Sequence, residues 1–266
     1  RIRFVPVSGL TGENVKKIHS KELMSWYKGP TLLGAIDEFM VAKRDVDKPL
    51  RLIVNDSYPE GKGVTVRGRV TQGLLRQNET ITALPIGDMA TVSRIEHGDL
   101  GTIPPSTAKK TIAIARAGDN VEISLTGIDN ARINPGFVLS HPNLKLRVPV
   151  KNKFRSKIFV LDKIQVPIIR GSNVSLHMHS VDVPAVISKL VSVVKKGGEK
   201  NQKATTTTAT TVVPRLLNGG ANATVEITMK EKMCLEEYSQ CRSLGRFVLR
   251  RNGESIAVGV VETLLD

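Results

Sequence analysis

From Leu50 onward, apolar residues alternate with polar ones at a period of two, in short runs separated by Gly, Asp, Asn and Pro. Leu50, Leu52 and Val54 alternate with Arg51, Ile53 and Asn55, and a loop follows over Asp56–Gly61. Val64, Val66 and Val70 then alternate with Thr65, Arg67 and Arg69. Further strands are predicted over Thr80–Leu84, Ala90–Ile95, Thr111–Ala115, Asn120–Leu125 and Phe137–Leu139. Short, evenly spaced strands of this kind close into a barrel, which leaves no edge unpaired. A second series begins near Leu144: Val148–Val150, Lys157–Leu161, Val174–Met178, Ala185–Val194, Ala223–Met229, Gly245–Arg251 and Ser255–Val261. Aromatic residues make up only 4% of the chain and hydrophobic residues 40%, so the core must be built from Val, Ile and Leu, which favour sheet. The expected fold is mainly β, with two consecutive β-barrels.

The first 46 residues read differently. Arg1–Val7 alternate in a strand-like way, Ser8-Gly9-Leu10-Thr11-Gly12 form a tight turn, and Glu13-Asn14-Val15 open a polar, helix-like stretch. Lys21–Tyr27 predict a short helix that Gly29-Pro30 stop. Thr31 can cap a second helix, with Leu32, Leu33, Ile36, Phe39 and Met40 along one face. Trp26, at the break, suits packing against a neighbouring domain. The connector Ala42–Pro49 is charged and ends in Pro, so the segments expected are 1–46, 47–143 and 144–266.

A net charge of +14 favours a polyanionic partner, nucleic acid before an anionic membrane. Residues 143–215 hold 14 Lys or Arg against 3 Asp or Glu, so most of the excess is local. Within it, Lys151, Lys153, Arg155 and Lys157 are the expected RNA-binding residues, and Lys195–Pro214 read as an exposed low-complexity loop. No aromatic residues interleave with these cations as base-stacking platforms, so contact with the phosphates of folded or duplex RNA fits best. The two cysteines, Cys234 and Cys241, lack zinc-ribbon spacing and fit a reducing compartment. No run is long and apolar enough for a membrane-spanning helix, and a cytoplasmic location is expected. His177 and His179 share a strand face without a nearby third ligand, which suits packing or a hydrogen bond better than zinc. Asp119 and Asp129 are turn residues. No nucleophile–base arrangement stands out, and neither a G-x-x-x-x-G-K-[ST] phosphate loop nor an N-K-x-D motif occurs, so no catalysis is expected of these 266 residues.

Three stretches, in order, resemble one family. They are FVPVSGLTGENV at 4–15 with WYKGPTLLGAID at 26–37, GRVTQGLLRQNETITALP at 68–85, and LGRFVLRRNGESIAVGVV at 244–261. Each is similar to translational GTPases of the elongation factor Tu and elongation factor 1-alpha type. The matching parts are the end of the G domain, the signature of barrel domain two and the end of barrel domain three. The chain thus resembles the carboxyl-terminal part of a GTP-binding protein. The resemblance implies GTP and Mg in the parent protein, no cofactor on this part alone, and a residual guanine contact at Ser8, Gly9 and Leu10. WYKGPTLL, KPLRLIVND at 48–56 and VPAVISKLVSVV at 183–194 look closer to the Hbs-family ribosome-rescue GTPase that partners Pelota. The class-II release factor is the second branch, although Arg251 stands where it carries an acidic residue. A third relative is the adaptor linking the ribosome to the exosome and Ski complex. The resemblance further implies that barrel two rests on small-subunit rRNA while barrel three grips a tRNA-shaped partner through Gly245, Arg246, Phe247, Leu249 and Arg250. From the residues alone, Phe247 and Leu249 fit a barrel core equally well, and an interdomain ion pair is as good a role for Arg246 and Arg250.

Overall fold

Sixteen strands account for most of the chain in a computed structural model, which describes residues 3–40, 43–61, 63–97, 111–194 and 213–266. Within the first series lie β1 (Arg51–Glu60), β2 (Gly63–Gln72), β3 (Leu74–Arg76), β4 (Thr80–Leu84), β5 (Asp88–His97), β6 (Ile114–Arg116), β7 (Asn120–Thr126) and β8 (Val138–Ser140). Six of them close in the order β1-β2-β7-β5-β4-β8, with β8 returning to pair with β1; β3 and β6 form a separate two-stranded ribbon. The period-two pattern explains the closure. Leu52, Val54, Val64, Val66, Val70, Ile81, Ile95, Ile123, Leu125 and Leu139 all point inward and are almost fully buried. Aliphatic side chains fill this lumen without a single fully buried aromatic ring.

A second barrel follows from β9 (Val150–Val160), β10 (Ile168–Ile169), β11 (Asn173–Met178), β12 (Val181–Val194), β13 (Leu216–Leu217), β14 (Asn222–Cys234), β15 (Arg246–Arg251) and β16 (Glu254–Leu265). Its closed order is β11-β12-β14-β9-β16-β15, and β10 pairs only with β13. Phe154 and Phe247 meet edge to face at its centre, 5.4 Å between ring centroids, a geometry the aromatic quadrupoles favour. Room for the Phe247 ring comes from Gly259, where a Cβ would lie 2.6 Å from Phe247 Cζ.

Residues 44–266 form one compact unit, because the barrels share a third apolar cluster. Ile53, Leu84 and Val138 of the first barrel meet Val148, Cys234, Cys241 and Leu244. Beside the cluster the buried guanidinium of Arg51 donates to Glu236 Oε1 at 2.6 and 2.9 Å, to the Leu146 carbonyl at 2.7 Å and to Ser140 Oγ. Burial pushes the Cys234 thiol up to about 12, so it sits there as a small neutral apolar group.

The structure differs from the sequence reading in several places. Asp56–Glu60 continue β1 instead of looping, after a bulge between Val54 and Asp56. Pro59 is tolerated because this end of β1 pairs with β2 alone, so its missing donor falls on the unpaired side. The strand expected over Thr111–Ala115 shrinks to β6 and pairs with β3 outside the closed barrel, and β10–β13 has no counterpart in the sequence reading, because two residues are too few to show a period. Residues 1–43 form a separate unit. In it, residues 3–8 make no strand and Glu13–Val15 a turn, not a helix. Asn14 adopts a left-handed backbone (φ 58°) and its Nδ2 donates to the Pro6 carbonyl, which folds the segment back on itself. Helix α1 (Lys21–Trp26) is capped by Ser20, and α2 (Leu32–Asp37) by Thr31, whose hydroxyl accepts from the Gly34 N–H. Because α2 ends at Asp37, Phe39 and Met40 leave its face and are exposed. Trp26 packs edge-on against Tyr27 at 5.9 Å within this unit. The expected loop at Lys195–Pro214 lies outside the described residues, Val213 and Pro214 excepted, as do Val41 and Ala42.

Candidate partner-binding face of the second barrel

Alternation along β15 sorts its residues onto two faces. Phe247 (4% exposed) and Leu249 (0%) turn into the lumen, whereas Arg246, Val248 and Arg250 turn out. Phe247 and Leu249 therefore cannot touch a partner; they are barrel core and fix the direction of their neighbours. Gly245 is a close-approach site, since a Cβ there would lie 2.4 Å from Tyr238 Cα. The Val261 N–H donates to the Gly245 carbonyl at 2.7 Å and the Tyr238 N–H to the Val261 carbonyl at 3.0 Å, which holds the start of β15 against the 236–238 segment. Arg250 also departs from the expected role, because its Nη2 donates to the Gly253 carbonyl and its Nε is buried without a partner. Its guanidinium secures its own hairpin turn. Arg246 is exposed and, among the described residues, forms no ion pair.

Cross-strand register then builds a surface from these outward residues. His177, Val248, Val258, Phe159 and Asn222 lie side by side in one row across β11, β15, β16, β9 and β14. Arg246, Val260, Lys157 and Thr224 form the adjacent row. Both rows border a cleft of about 1000 Å³, which Ile53, Asn55, Arg69 and Thr71 of the first barrel close from the other side. Its floor is apolar, through Phe159, Val248, Val258 and Val260, and Arg69, Lys157 and Arg246 are its cations. A concave apolar surface with a few charged groups at its margin is the usual form of a recognition site. At one end the β11–β12 turn packs against the first barrel, with Ser180 Oγ 3.0 Å from Asn55 Oδ1. His179, in that turn, has a left-handed backbone (φ 41°) and two ring nitrogens with no hydrogen-bond partner. Burial alone pulls its pKa down to about 4, so it is neutral near pH 7. His177 differs: its Nε2 lies 3.3 Å from Asp182 Oδ1.

The four cations of β9 do lie on one outward face, but most of their charge is met within the barrel. Lys151 pairs with Asp266, Arg155 with Glu226 at 3.0 Å, and Lys157 with Glu262 at 2.7 Å; Lys153 has no carboxylate partner among the described residues. All three acids come from beyond residue 215, on β14 or at the end of the chain, so a count over 143–215 could not include them. Register also joins what the sequence had kept apart. Lys157, expected to bind RNA, and Arg246, expected to bind a partner, border one cleft. No motif announced that cleft. At the other candidate site, Ser8 Oγ accepts from the Thr11 N–H at 3.3 Å and the Gly12 N–H donates to the Ser8 carbonyl at 2.9 Å. Leu10 is 98% exposed at the tip of this turn.

Comparison with known proteins gives this geometry a family. Residues 153–262 match the GTP-eEF1A C-terminal domain-like family. Protein HBS1 of Drosophila melanogaster is 34% identical over 98% of this chain, which spans 36% of that protein. The elongation factor 1 alpha-like protein of Schizosaccharomyces pombe is 33% identical, with 99% of this chain and 40% of the relative aligned. Elongation factor 1-alpha of Saccharolobus solfataricus is 30% identical over 98% of the chain and 55% of its own length. The chain therefore spans from about a third to just over half of these curated relatives. A solved structure of sup35 complexed with GDP superposes with a TM-score of 0.69 at 26% identity, over 99% of this chain and 59% of that one. The carboxyl-terminal barrel, its register and these relatives agree: residues 153–262 belong to the GTP-eEF1A C-terminal domain-like family, and the chain as a whole is similar to Protein HBS1 and to elongation factor 1-alpha.

Proposed function

We propose that this chain is the partner- and ribosome-binding arm of a translational GTPase that delivers a Pelota-like, tRNA-shaped factor to stalled ribosomes. The observation that carries the reading is the outward face of β15, β16 and β9, where an apolar floor and the unpaired Arg246 meet in one cleft. Its likeness to Protein HBS1 over nearly the whole chain supports the choice of branch. In this reading the parent protein binds GTP with Mg in the cytoplasm. Ser8, Gly9 and Leu10 touch the guanine, and rRNA phosphates approach Lys153 and its neighbours on β9. The release-factor arm is the second reading, which Arg251 disfavours; the exosome and Ski adaptor is a third. Calorimetry with purified Pelota and, separately, with the class-I release factor decides between the first two readings. Pelota is expected to bind, and Arg246→Glu to weaken it by about 2–5 kcal/mol where the pair is desolvated, with the melting temperature unchanged. Preference for the class-I release factor, or equal Pelota affinity in Arg246→Glu, overturns the proposal.

A further inference from the structure

The short ribbon β10–β13 is apolar on both sides. Ile168 pairs with Leu217 and both are buried in the second barrel's core, as a barrel-capping ribbon requires. Their neighbours Ile169 and Leu216 also pair, but on the opposite face, where they are 51% and 46% exposed. Val166 (59%) and Val213 (71%), in the segments that enter the two strands at opposite ends of the ribbon, are exposed as well. Two aliphatic side chains paired in water, with further exposed valines at both ends of the ribbon, are a cost that a free surface has little reason to carry. Cations surround them. Arg170 and Arg215 follow directly along the ribbon, Lys163 lies three residues before Val166, and Arg251 Nη1 donates to the Val166 carbonyl at 3.2 Å. None of these four forms an ion pair among the described residues, in contrast to the β9 cations. Two acids share this end: Asp162, set against the Gly219–Gly220 backbone, and Glu254, opposite Arg251 in the hairpin.

We propose that the outer face of β10–β13 is a second docking surface, and that its occupant is an acidic amphipathic segment of a partner protein. Apolar side chains of that segment cover Ile169 and Leu216 while its carboxylates reach Arg170 and Arg215. Charge complementarity chooses an anionic occupant, and the apolar pair chooses among anions. Duplex RNA would bring phosphates to Arg170 and Arg215 but leave Ile169 and Leu216 in water. Single-stranded RNA needs rings for its bases to stack on, and residues 161–172, 213–221 and 250–255 contain no aromatic side chain. A bilayer is disfavoured for the same reason, since interfacial anchors use Trp and Phe on a longer apolar face.

Fluorescence anisotropy on residues 1–266 tests this, with a labelled peptide carrying Leu and Glu at helical spacing as the probe. A duplex RNA oligonucleotide and phosphatidylserine vesicles serve as separate arms. The peptide is expected to bind, and Ile169→Ser with Leu216→Ser to weaken it roughly tenfold or more. Arg170→Ala with Arg215→Ala should weaken it comparably and flatten its salt dependence. Melting temperatures verify folding, and if the serine pair melts early, Ile169→Ala alone carries the same expectation. No peptide binding, an unchanged peptide affinity in the apolar variants, or losses confined to the RNA or vesicle arm each overturn the proposal.

Discussion

The two barrels close six strands each, in sheets that return on themselves, yet they are filled differently. The first packs Val, Ile, Leu and Ala in comparable sizes from every strand, so no single residue dominates its core. The second concentrates volume in Phe154 and Phe247, adds Met178, Met229 and Met233, and opens Gly259 to make room. Uniform aliphatic filling spreads the packing energy; a large ring set against a glycine localises it. The outer surfaces diverge in the same way. In the first barrel, buried Glu122 faces Arg67 on one side and Glu96 on the other, and Arg94 pairs with Glu96, so charge is settled along one row of strands. In the second barrel, cations border an apolar cleft and an exposed apolar ribbon. Exposed apolar surface flanked by cations is thus a feature of the barrel whose core is the more specialised.

The strongest way to break this comparison is at the joint. Glu236→Ala leaves the buried Arg51 guanidinium without its carboxylate and should cost about 3–5 kcal/mol. Calorimetry should then resolve two thermal transitions where the parent shows one; a single unshifted transition would mean the barrels cohere without that ion pair. Phe247→Ala should also remove about 3–5 kcal/mol, through the cavity it leaves, but from the second barrel alone. Hydrogen exchange in β2 and β7 should stay protected while that of β9 and β16 rises.

Acid provides a subtler test. His179 has its pKa depressed from the ordinary 6.5 to about 4, so the unfolded chain takes up this proton at a higher pH than the native one. Stability is therefore lost as pH falls from about 6.5 towards 4, by up to about 3 kcal/mol, and is fully present above that window. His179→Asn, which tolerates the left-handed backbone, should flatten chemical denaturation curves across that range. The smallest effect is expected on the β9 surface. Arg155→Ala breaks a half-exposed pair and should change stability by less than about 1 kcal/mol, because solvent screens such pairs.

Much of the architecture was legible in the chain. Alternation of Val, Leu and Ile with polar residues determined the strands and which residues faced inward, because a strand exposes its two faces in strict turn. Thr31 announced the start of its helix by side-chain capping, and Gly29-Pro30 the break before it. Ribbons of two or three residues carried no period to read, and the bulge after Val54 hid the continuation of β1.

Function divided along the same line. The third matching stretch, LGRFVLRRNGESIAVGVV, placed the second barrel in its family without any structure. Tertiary structure alone decided which letters of that motif were available to a partner, because burial depends on what closes over a strand from the far end of the chain. It sent Phe247 and Leu249 inward, turned Arg250 to its own hairpin and left Arg246 exposed, with no ion pair among the described residues. It also brought Glu226, Glu262 and Asp266 onto cations that a local count had left unpaired. Charge balance and exposure are long-range quantities, set by register between strands distant in sequence, and only the closed barrel supplies that register.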